Sequence, residues 1–377
     1  MRITNIELVE VVVPALPDAV NSPGLDQPLH RLAHGASEGW TLQFDELPKW
    51  IIVATCDDGT VGIGESLRGC RPDVLAAIAQ TLIGIDLVRL PLAALPFPRT
   101  REFDGFEALV YDLVGKALGV PASTLMGGAV RDRVAVSAWS GHRTPEDAAA
   151  RALAAADAGL RMIKFKCSLD DDVVAWAAAI RSVCGDRIEV VLDPNERFEE
   201  MRHAVRIARA LEEIGNVAAL EDPLPRWDLD AYAELRRRTT VPIAVHVALG
   251  YSELGQAPHD VLRAWRAGAA DVFNFSGGMS DFRRLATCAD VVGMPYWHGS
   301  EIDCGVLEAA AVHAAAASPG CTLPSDLFGT RVREHDLLSR PLHFHDDVVD
   351  VPDAPGLGVD LDFEAVSKYE QSRVMIR

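Results

Sequence analysis

The stretch Lys164-Phe165-Lys166 decides the fold, together with Asp193, 27 residues after Lys166, and Glu221, 28 residues further on. Each of these charged groups ends a short apolar run and precedes a segment with a helical pattern. This spacing is that of one strand and one helix for each charged group, which predicts that the groups meet at one end of a parallel barrel. Two amines beside two carboxylates at such a rim indicate a site that removes a proton from a substrate anion held by a metal.

The length and composition are typical of a soluble globular protein. With 377 residues the chain exceeds a usual single core, so we expect two domains. Its 49% hydrophobic and 24% charged residues are ordinary for such a protein. The formal net charge of −19 argues against nucleic acid and anionic membranes as partners, because both favour basic patches. A small anionic substrate stays compatible with this charge, since two buried lysines and a metal would reverse the local potential.

The sequence predicts a cytoplasmic protein. Residues 1–10 alternate like a strand and lack the apolar core of a signal peptide. The most apolar helical segment, Val306–Ala317, is too short to span a bilayer. The seven cysteines include no CxxC pair, so reduced thiols are the simpler interpretation.

The first 128 residues predict an α+β domain. Its expected elements are strands at residues 1–13 and Trp50–Thr55 and helices at Pro72–Ile83 and Phe106–Leu118. Between the strands, the segment Asn21–Gly39 is rich in Gly, Pro, His and Asp. A loop of this length is typical of either a disordered segment or a functional lid.

From Val134 the pattern becomes strand, turn and helix, repeated, which predicts an α/β barrel over residues 129–335. Near-continuous apolar strands are typical of parallel strands covered on both faces, and barrel closure removes two unpaired edges. The predicted strands are Val134–Trp139, Met162–Lys166, Ile188–Leu192, Ala218–Glu221, Ile243–Val247, Val272–Phe275 and Pro295–His298, with an eighth near Cys321–Leu323. The predicted helices are Glu146–Ala158, Asp172–Val183, Glu200–Glu213, Ala231–Arg238, Asp281–Val291 and Val306–Ala316. Residues 336–377 have no partner inside the barrel and are expected to return to the N-terminal domain.

Lys164 and Lys166 are two residues apart on a predicted strand, so both side chains face the same side, which is the barrel interior. Repulsion between the two ammonium groups, and from a nearby divalent cation, would favour a neutral amine and produce a useful base. The alternative is a pair of lysines that extend from the strand end into solvent.

Asp193 and Glu221 are hard oxygen ligands suited to Mg²⁺ or Mn²⁺. Each ends a predicted strand, so each could instead cap the following helix. Asp222 is the better candidate for a cap, or for a residue that supports the metal ligands.

Taken together, the motifs resemble the enolase superfamily, in its mandelate racemase and muconate lactonizing enzyme branch. The similarity extends over essentially the whole chain, and the order and spacing of the motifs make it specific. The matching pieces are Tyr111-Asp112-Leu113-Val114-Gly115-Lys116, Leu125-Met126-Gly127-Gly128, Lys164-Phe165-Lys166, Asp193-Pro194-Asn195, Leu220-Glu221-Asp222-Pro223, Val241-Pro242-Ile243-Ala244 and Gly277-Gly278.

The resemblance implies a modified (β/α)7β TIM-like barrel with an N-terminal α+β capping domain, and abstraction of the proton α to a carboxylate. Lys166 matches the base of that chemistry and Lys164 a cation that braces the substrate carboxylate, while Asp193 and Glu221 match two ligands of a Mg²⁺ ion. Such a Lys base with a metal-stabilised ene-diolate is a known pattern of the superfamily. The resemblance also implies a small carboxylate substrate and a homo-oligomer.

Three positions depart from the pattern of this branch. Where an acidic third metal ligand is expected, the fifth strand has His246, which would shift the preference from Mg²⁺ toward Mn²⁺ or would be a spectator. The sixth strand ends without the lysine that many relatives use as a second base. The seventh strand carries His298 at the place of a catalytic histidine but lacks its usual aspartate partner, so it is either a general acid opposite Lys166 or a simple hydrogen-bonding residue. The expected substrate-binding residues at the strand ends are Asn195, Asn274, Ser276, Trp297 and Glu301.

These residues favour a dehydratase of an acid sugar or another hydroxy-carboxylate, in which Lys166 is the base and His298 protonates the leaving hydroxyl. A racemase or epimerase needs acid–base groups on both faces and is weakened by the missing dyad. A cycloisomerase ranks third, because the sixth-strand lysine is absent. A member of the fold that binds a ligand without catalysis is the alternative from a different class.

Overall fold

The computed structural model describes residues 1–25, 27, 47–247 and 257–377. Most of the predicted loop at Asn21–Gly39 therefore lies outside the described residues. The strands of the described residues are β1 (Ile3–Val11), β2 (Lys49–Cys56), β3 (Val61–Glu65), β4 (Arg133–Ala135), β5 (Ala138–Ser140), β6 (Met162–Lys166), β7 (Glu189–Asp193), β8 (Val217–Glu221), β9 (Ile243–Val247), β10 (Val272–Phe275), β11 (Tyr296–His298), β12 (Phe344–His345), β13 (Val348–Asp350) and β14 (Glu370–Ile376).

Both domains contain helices. Those of the described residues are α1 (Pro72–Leu82), α2 (Phe103–Leu118), α3 (Ala122–Leu125), α4 (Pro145–Asp157), α5 (Val173–Cys184), α6 (Met201–Ile214), α7 (Leu229–Arg238), α8 (Ala257–Ala267), α9 (Met279–Val292), α10 (Gly305–Ala316), α11 (Gly329–Val332) and α12 (Phe363–Tyr369), with a 3-10 turn at Leu87–Arg89. Side chains of Thr144, Asp172 and Asp228 accept hydrogen bonds from backbone N–H groups and so fix the starts of α4, α5 and α7. No helix among the described residues is long and apolar enough to cross a membrane.

The N-terminal sheet has the antiparallel order β14-β1-β2-β3. Pairing of β14 with β1 brings the C-terminal end of the chain onto this sheet. Helices α1 and α2 pack on it through a buried cluster that includes Ile52, Leu75 and Phe106. The domain boundaries given above stay a prediction.

The barrel sheet consists of seven parallel strands in chain order, from β5 to β11. A helix follows each strand, so helices cover the outer face, and successive side chains alternate between the two faces. Val191, Ala219 and Ala244 form an interior cluster with Trp297. Their strand neighbours, such as Leu192, belong to the core beneath the helices.

The segment after α10 closes the barrel between its two edge strands. Cys321 forms a parallel bridge with Tyr296 of β11, and Ser325 forms one with Val136 beside β5. The backbone N–H of Ser137 also donates to the carbonyl of Ser325 at 3.0 Å. Pro324 lies within this segment and has no backbone N–H, so the eighth position cannot form a regular ladder. The closure is that of the predicted (β/α)7β barrel.

Two elements differ from the sequence prediction. The predicted strand Val134–Trp139 is divided into β4, which pairs antiparallel with β13 outside the barrel, and β5, which belongs to it. Helix α8 was not predicted from the sequence. Its buried residues Ala257, Val261 and Ala264 follow the helical period, so the signal was present in the sequence and was missed.

A buried ion cluster joins the two domains. Lys49 Nζ lies 2.6 Å from Glu65 Oε1 and 2.6 Å from Asp303 Oδ1. Glu65 in turn accepts hydrogen bonds from the backbone N–H groups of Cys304 and Leu307 at the start of α10. The N-terminal sheet is therefore fixed directly against the loop that follows β11.

Candidate active site

The two lysines of β6 lie inside the barrel, each against carboxylates of other strands. Lys164 Nζ is 2.7 Å from Glu221 Oε2, 3.1 Å from Asp193 Oδ2 and 2.8 Å from Asp326 Oδ2. Lys166 Nζ is 2.5 Å from Asp193 Oδ2 and donates to Asn195 Oδ1 at 2.7 Å. Both lysines are buried, so the alternative in which they extend into solvent is wrong.

Parallel pairing explains why these groups meet. Lys166 and Asp193 are register partners on β6 and β7, and Glu221 ends β8, the next strand. Because all three side chains follow the inward-facing phase of their strands, they converge at the carboxyl end of the barrel. The segment lengths in the sequence therefore place one charged group on each of three adjacent strands.

The environment gives the two lysines different acid–base properties. Burial lowers the pKa of Lys166, Asp193 partly opposes this, and the Lys164 ammonium lowers it further. For Lys164 the attraction of Asp326, Glu221 and Asp193 outweighs burial and holds the pKa well above its usual value. Lys166 is thus the better proton acceptor, while Lys164 remains a fixed cation.

Asp193 and Glu221 are held in their ionised form. Burial alone would raise the pKa of Asp193, but Lys166 and Lys164 hold it well below the usual range. Burial and Asp193 likewise raise the pKa of Glu221, yet Lys164 and His246 bring it below its ordinary value. Ionised carboxylates are the form that binds a metal.

The donor set fits a divalent cation. Glu221, Asp222 and His246 are buried and offer ligand atoms within 4.8 Å of one another. Nδ1 of His246 forms no hydrogen bond of ordinary geometry with any described residue, whereas Oε2 of Glu221 is ion-paired with Lys164. The buried His246 nitrogen without a hydrogen bond points to a further ligand. Glu221 and His246 are the members of this cluster that would hold the ion, and Asp193, which lies outside it, stays a ligand by prediction.

His246 is oriented by the residues of the sixth strand. Its Nδ1 lies 3.3 Å from Glu221 Oε1, and its Nε2 lies 2.7 Å from Ser276 Oγ. Asn274 Nδ2 donates to the same Glu221 oxygen at 2.8 Å. Burial lowers the pKa of His246, which favours the neutral imidazole that can coordinate a metal. Ser276 thus holds the imidazole of His246 on β9, and Asn274 holds the carboxylate of Glu221 on β8.

Asp222 supports this arrangement from behind. Its Oδ1 accepts the backbone N–H of His246 at 2.9 Å, and its Oδ2 pairs with Arg226. Burial raises the pKa of Asp222 to about 7. Its contacts fix the backbone of β9 at His246 and are those of a supporting residue.

His298 does not face the lysines, and its expected role as a general acid is not supported by the geometry. Trp297 occupies the inward phase of β11, so His298 faces α9, where its ring stacks on Phe282 with centroids 4.2 Å apart. Nδ1 bonds the carbonyl of Gly299 at 2.6 Å. Burial lowers the pKa of His298 to about 4, so the ring is neutral and has no proton to spare for a leaving group.

Glu301 and Trp297 also have contacts that their predicted roles did not foresee. Glu301 pairs with Arg101 and Arg68 of the N-terminal domain and so contributes to the domain interface. Trp297 Nε1 lies 3.4 Å from Asp326 Oδ2 and the indole belongs to the apolar interior cluster below the charged groups.

Asp326 is a buried carboxylate of the site that the sequence analysis did not identify. It follows the closing segment, and Ser137 Oγ donates to its Oδ1 at 3.3 Å. Burial raises its pKa, although Lys164 opposes the effect. Its signal in the sequence is a carboxylate just after the eighth strand, which was predicted to end at Leu323.

Comparisons with known proteins identify the family that the chain resembles. A family model described as enolase C-terminal domain-like matches residues 147–366. Muconate cycloisomerase 1 of Rhodococcus opacus is 29% identical over 383 residues, covering 94% of this chain and 98% of the relative. D-galactarolactone cycloisomerase of Agrobacterium fabrum is 27% identical over 373 residues, covering 88% of this chain and 94% of the relative. The crystal structure of a muconate lactonizing enzyme from Pseudomonas fluorescens with muconolactone has a TM-score of 0.80 at 26% identity, covering 98% of this chain and 99% of that one.

A barrel of this kind with a capping domain and paired lysines and carboxylates at its carboxyl end defines a class of metal-assisted enzymes. The chain belongs to the enolase C-terminal domain-like family, in the mandelate racemase and muconate lactonizing enzyme branch of the enolase superfamily. It is an enzyme of the isomerase or lyase type.

Proposed function

We propose that the protein is a metal-dependent cycloisomerase of a small unsaturated dicarboxylate, with Lys166 as its single acid–base group. The observation that carries this proposal is the one-sided arrangement of amines. The chain contains only five lysines, and of these only Lys164 and Lys166 lie at the site. Lys49, Lys116 and Lys368 contact acidic or aromatic groups elsewhere.

Cycloisomerisation needs one proton-transferring residue and no leaving group. In the lactone-forming direction, an oxygen of one substrate carboxylate adds to the β-carbon of a double bond conjugated with the second carboxylate. The electron pair moves onto that second carboxylate, and protonated Lys166 donates its proton to the α-carbon. In reverse, neutral Lys166 removes the α-proton and the carbon–oxygen bond breaks. Atoms balance without water or a second base.

Lys164 and the metal ligands stabilise the charge that this chemistry creates. Lys164 stays protonated and lies where a substrate carboxylate can pair with it. A divalent ion held by Asp193, Glu221 and His246 would supply Lewis-acid stabilisation of the carboxylate that gains negative charge. Asn195, which accepts from Lys166, orients the amine.

The other members of the reaction class fit less well. A dehydratase needs an acid at the departing hydroxyl, and the residue expected for that role, His298, faces Phe282. A two-base racemase needs a group on the face opposite Lys166, and no lysine is present there. The curated relatives named above are cycloisomerases, which supports the same choice.

We further propose that the site prefers Mn²⁺ over Mg²⁺. The imidazole of His246 replaces an anionic oxygen, so the ligand set carries one negative charge fewer and one borderline donor more. Mg²⁺ favours oxygen ligands, whereas Mn²⁺ tolerates imidazole better.

Proton NMR in D₂O tests the proposed reaction. The protein is incubated with Mn²⁺ or Mg²⁺ and with either muconate or its lactone, and a parallel set contains acid sugars and N-acyl amino acids. We expect interconversion of dicarboxylate and lactone with one deuterium incorporated at the α-carbon. Release of water from a hydroxy-carboxylate, or inversion of an N-acyl amino acid, without any lactone turnover would reject the cycloisomerase in favour of the corresponding alternative.

A further inference from the structure

The β12–β13 hairpin presents two histidines and an aspartate on one face. His343 and His345 are two residues apart, so their side chains share a face. The register places His345 opposite Val348, and the backbone N–H of Asp350 donates to the carbonyl of His343 at 3.0 Å. Asp350 therefore lies across from His343. Val349 faces the other way and is fully buried.

The three side chains already converge on one point. His343 Nδ1 lies 2.5 Å from Asp350 Oδ2, and His345 Nε2 lies 2.8 Å from Asp350 Oδ1. One ligand atom from each residue lies within 4.8 Å of the other two. A tetrahedral ion with bonds of about 2.0–2.2 Å separates its donors by roughly 3.3 Å, so only small side-chain rotations are needed.

We propose that His343, His345 and Asp350 form a binding site for a borderline divalent cation, of which Zn²⁺, Ni²⁺ and Co²⁺ are the best matches. Two imidazoles and one carboxylate suit these ions better than Mg²⁺ or Ca²⁺, which take oxygen ligands. The His343 side chain is 74% exposed, so water can fill the remaining coordination positions. The site is distinct from the barrel site, because the hairpin pairs with β4 outside the barrel sheet.

Arg133 would compete with a bound cation for the carboxylate of Asp350. Its Nε lies 3.3 Å from Asp350 Oδ1, and the side chain is 58% exposed. A guanidinium at this position repels a cation and occupies a carboxylate oxygen. Removal of Arg133 should therefore strengthen metal binding, whereas it would weaken a cluster held together only by ion pairs.

The consequence for the fold is local. A bound ion would link β12 to β13, and β13 is the strand that joins the C-terminal segment to β4. Metal binding to the folded state alone would raise the temperature of unfolding.

Isothermal titration of the full-length protein with Zn²⁺, in buffer containing millimolar Mg²⁺, tests the proposal. We expect the wild-type protein to bind one more equivalent than the His343→Ala/His345→Ala double variant. Each single variant should weaken that equivalent at least tenfold, and Arg133→Ala should strengthen it several-fold. His259→Ala, which removes an exposed histidine outside the cluster, should change nothing.

Anomalous scattering at the zinc edge locates the ion independently. The expected result is a peak about 2.0–2.1 Å from His345 Nε2 in crystals of the wild-type protein. Equal zinc stoichiometry in the wild type and the double variant, or zinc-soaked crystals without a peak at this hairpin, would overturn the proposal.

Discussion

Lys166 and Asp193 are partners across the parallel ladder between β6 and β7, and Nζ of the lysine lies 2.5 Å from Oδ2 of the aspartate. Adjacent strands are about 4.8 Å apart, so backbone register alone holds the candidate base beside a candidate metal ligand. A slip of one residue would turn Lys166 toward the helices. The ammonium and a divalent cation also compete for the same carboxylate.

Replacement of the candidate base should separate catalysis from metal binding. In Lys166→Met we expect exchange of the substrate α-proton with solvent deuterium to fall by about 10³-fold, because a positioned acid–base group contributes 10²–10⁴-fold. Affinity for Mn²⁺ should be unchanged or tighter, since a competing cation next to Asp193 is removed. NMR exchange rates and Mn²⁺ titration measure the two quantities. Lys368→Met, at an exposed lysine, serves as the matched control. Retained exchange in Lys166→Met would reject Lys166 as the base.

The fifth-strand histidine should set the metal preference. His246→Asp restores a carboxylate, so we expect the ratio of Mn²⁺ to Mg²⁺ affinity to fall about tenfold or more, with the gain in Mg²⁺ binding as its main cause. Electron paramagnetic resonance of free Mn²⁺, with Mg²⁺ as competitor, gives both affinities without an activity assay. Ser276→Ala, which removes only the hydrogen-bonding partner of Nε2, should weaken Mn²⁺ binding and leave the preference in place. An unchanged ratio in His246→Asp would show that His246 is a spectator.

The sequence predicted the site where long parallel strands end in charged residues and predicted it poorly where the strands are short. Lys164, Lys166, Asp193 and Glu221 lie on five-residue strands, in which the alternation of side chains assigns the inward phase. The strand that carries His298 has three residues, so its phase depends on packing against α9. Asp326 follows a segment that contains Pro324 and forms isolated bridges only, and a segment without a regular ladder gives no periodic signal.

The orientation of His298 gives a prediction that opposes the sequence-based expectation. His298→Leu should retain α-proton exchange within about threefold of wild type, because the ring is neutral and stacks on Phe282 behind the strand. The free energy of unfolding should fall by about 1 kcal/mol, which is the typical value of the lost hydrogen bond to Gly299. Deuterium exchange and urea unfolding measure the two effects. A loss of exchange by 10²-fold or more, with the fold intact, would restore His298 to the catalytic machinery.

Buried carboxyl groups between α2 and α9 should make stability depend on pH. Burial raises the pKa of Glu107 from 4.5 to about 7, although the side chain accepts a hydrogen bond from the backbone N–H of Ser280 at 3.2 Å. Asp104, also buried there, has its pKa raised well above the usual value by burial and by Glu107. Between pH 4.5 and 7 the folded protein therefore keeps a proton on Glu107 that the unfolded chain has lost. Stability must fall as the pH rises through this window, by roughly 3 kcal/mol from Glu107 in the limit above pH 7.

Glu107→Gln removes this dependence, because an amide does not ionise. We expect the variant to be more stable than wild type at pH 8 by about 1–3 kcal/mol, and equal to it or slightly less stable at pH 5, where Glu107 is protonated in the folded protein. Urea unfolding at the two pH values gives the free energies. Glu189→Gln, at an exposed glutamate, should show no such difference between pH 5 and pH 8. If Glu107→Gln instead destabilised the protein more at pH 8 than at pH 5, Glu107 would have to be ionised and ion-paired in the folded state. Its partner would then be Arg99, which pairs with Asp281 and acts to lower the pKa of Glu107.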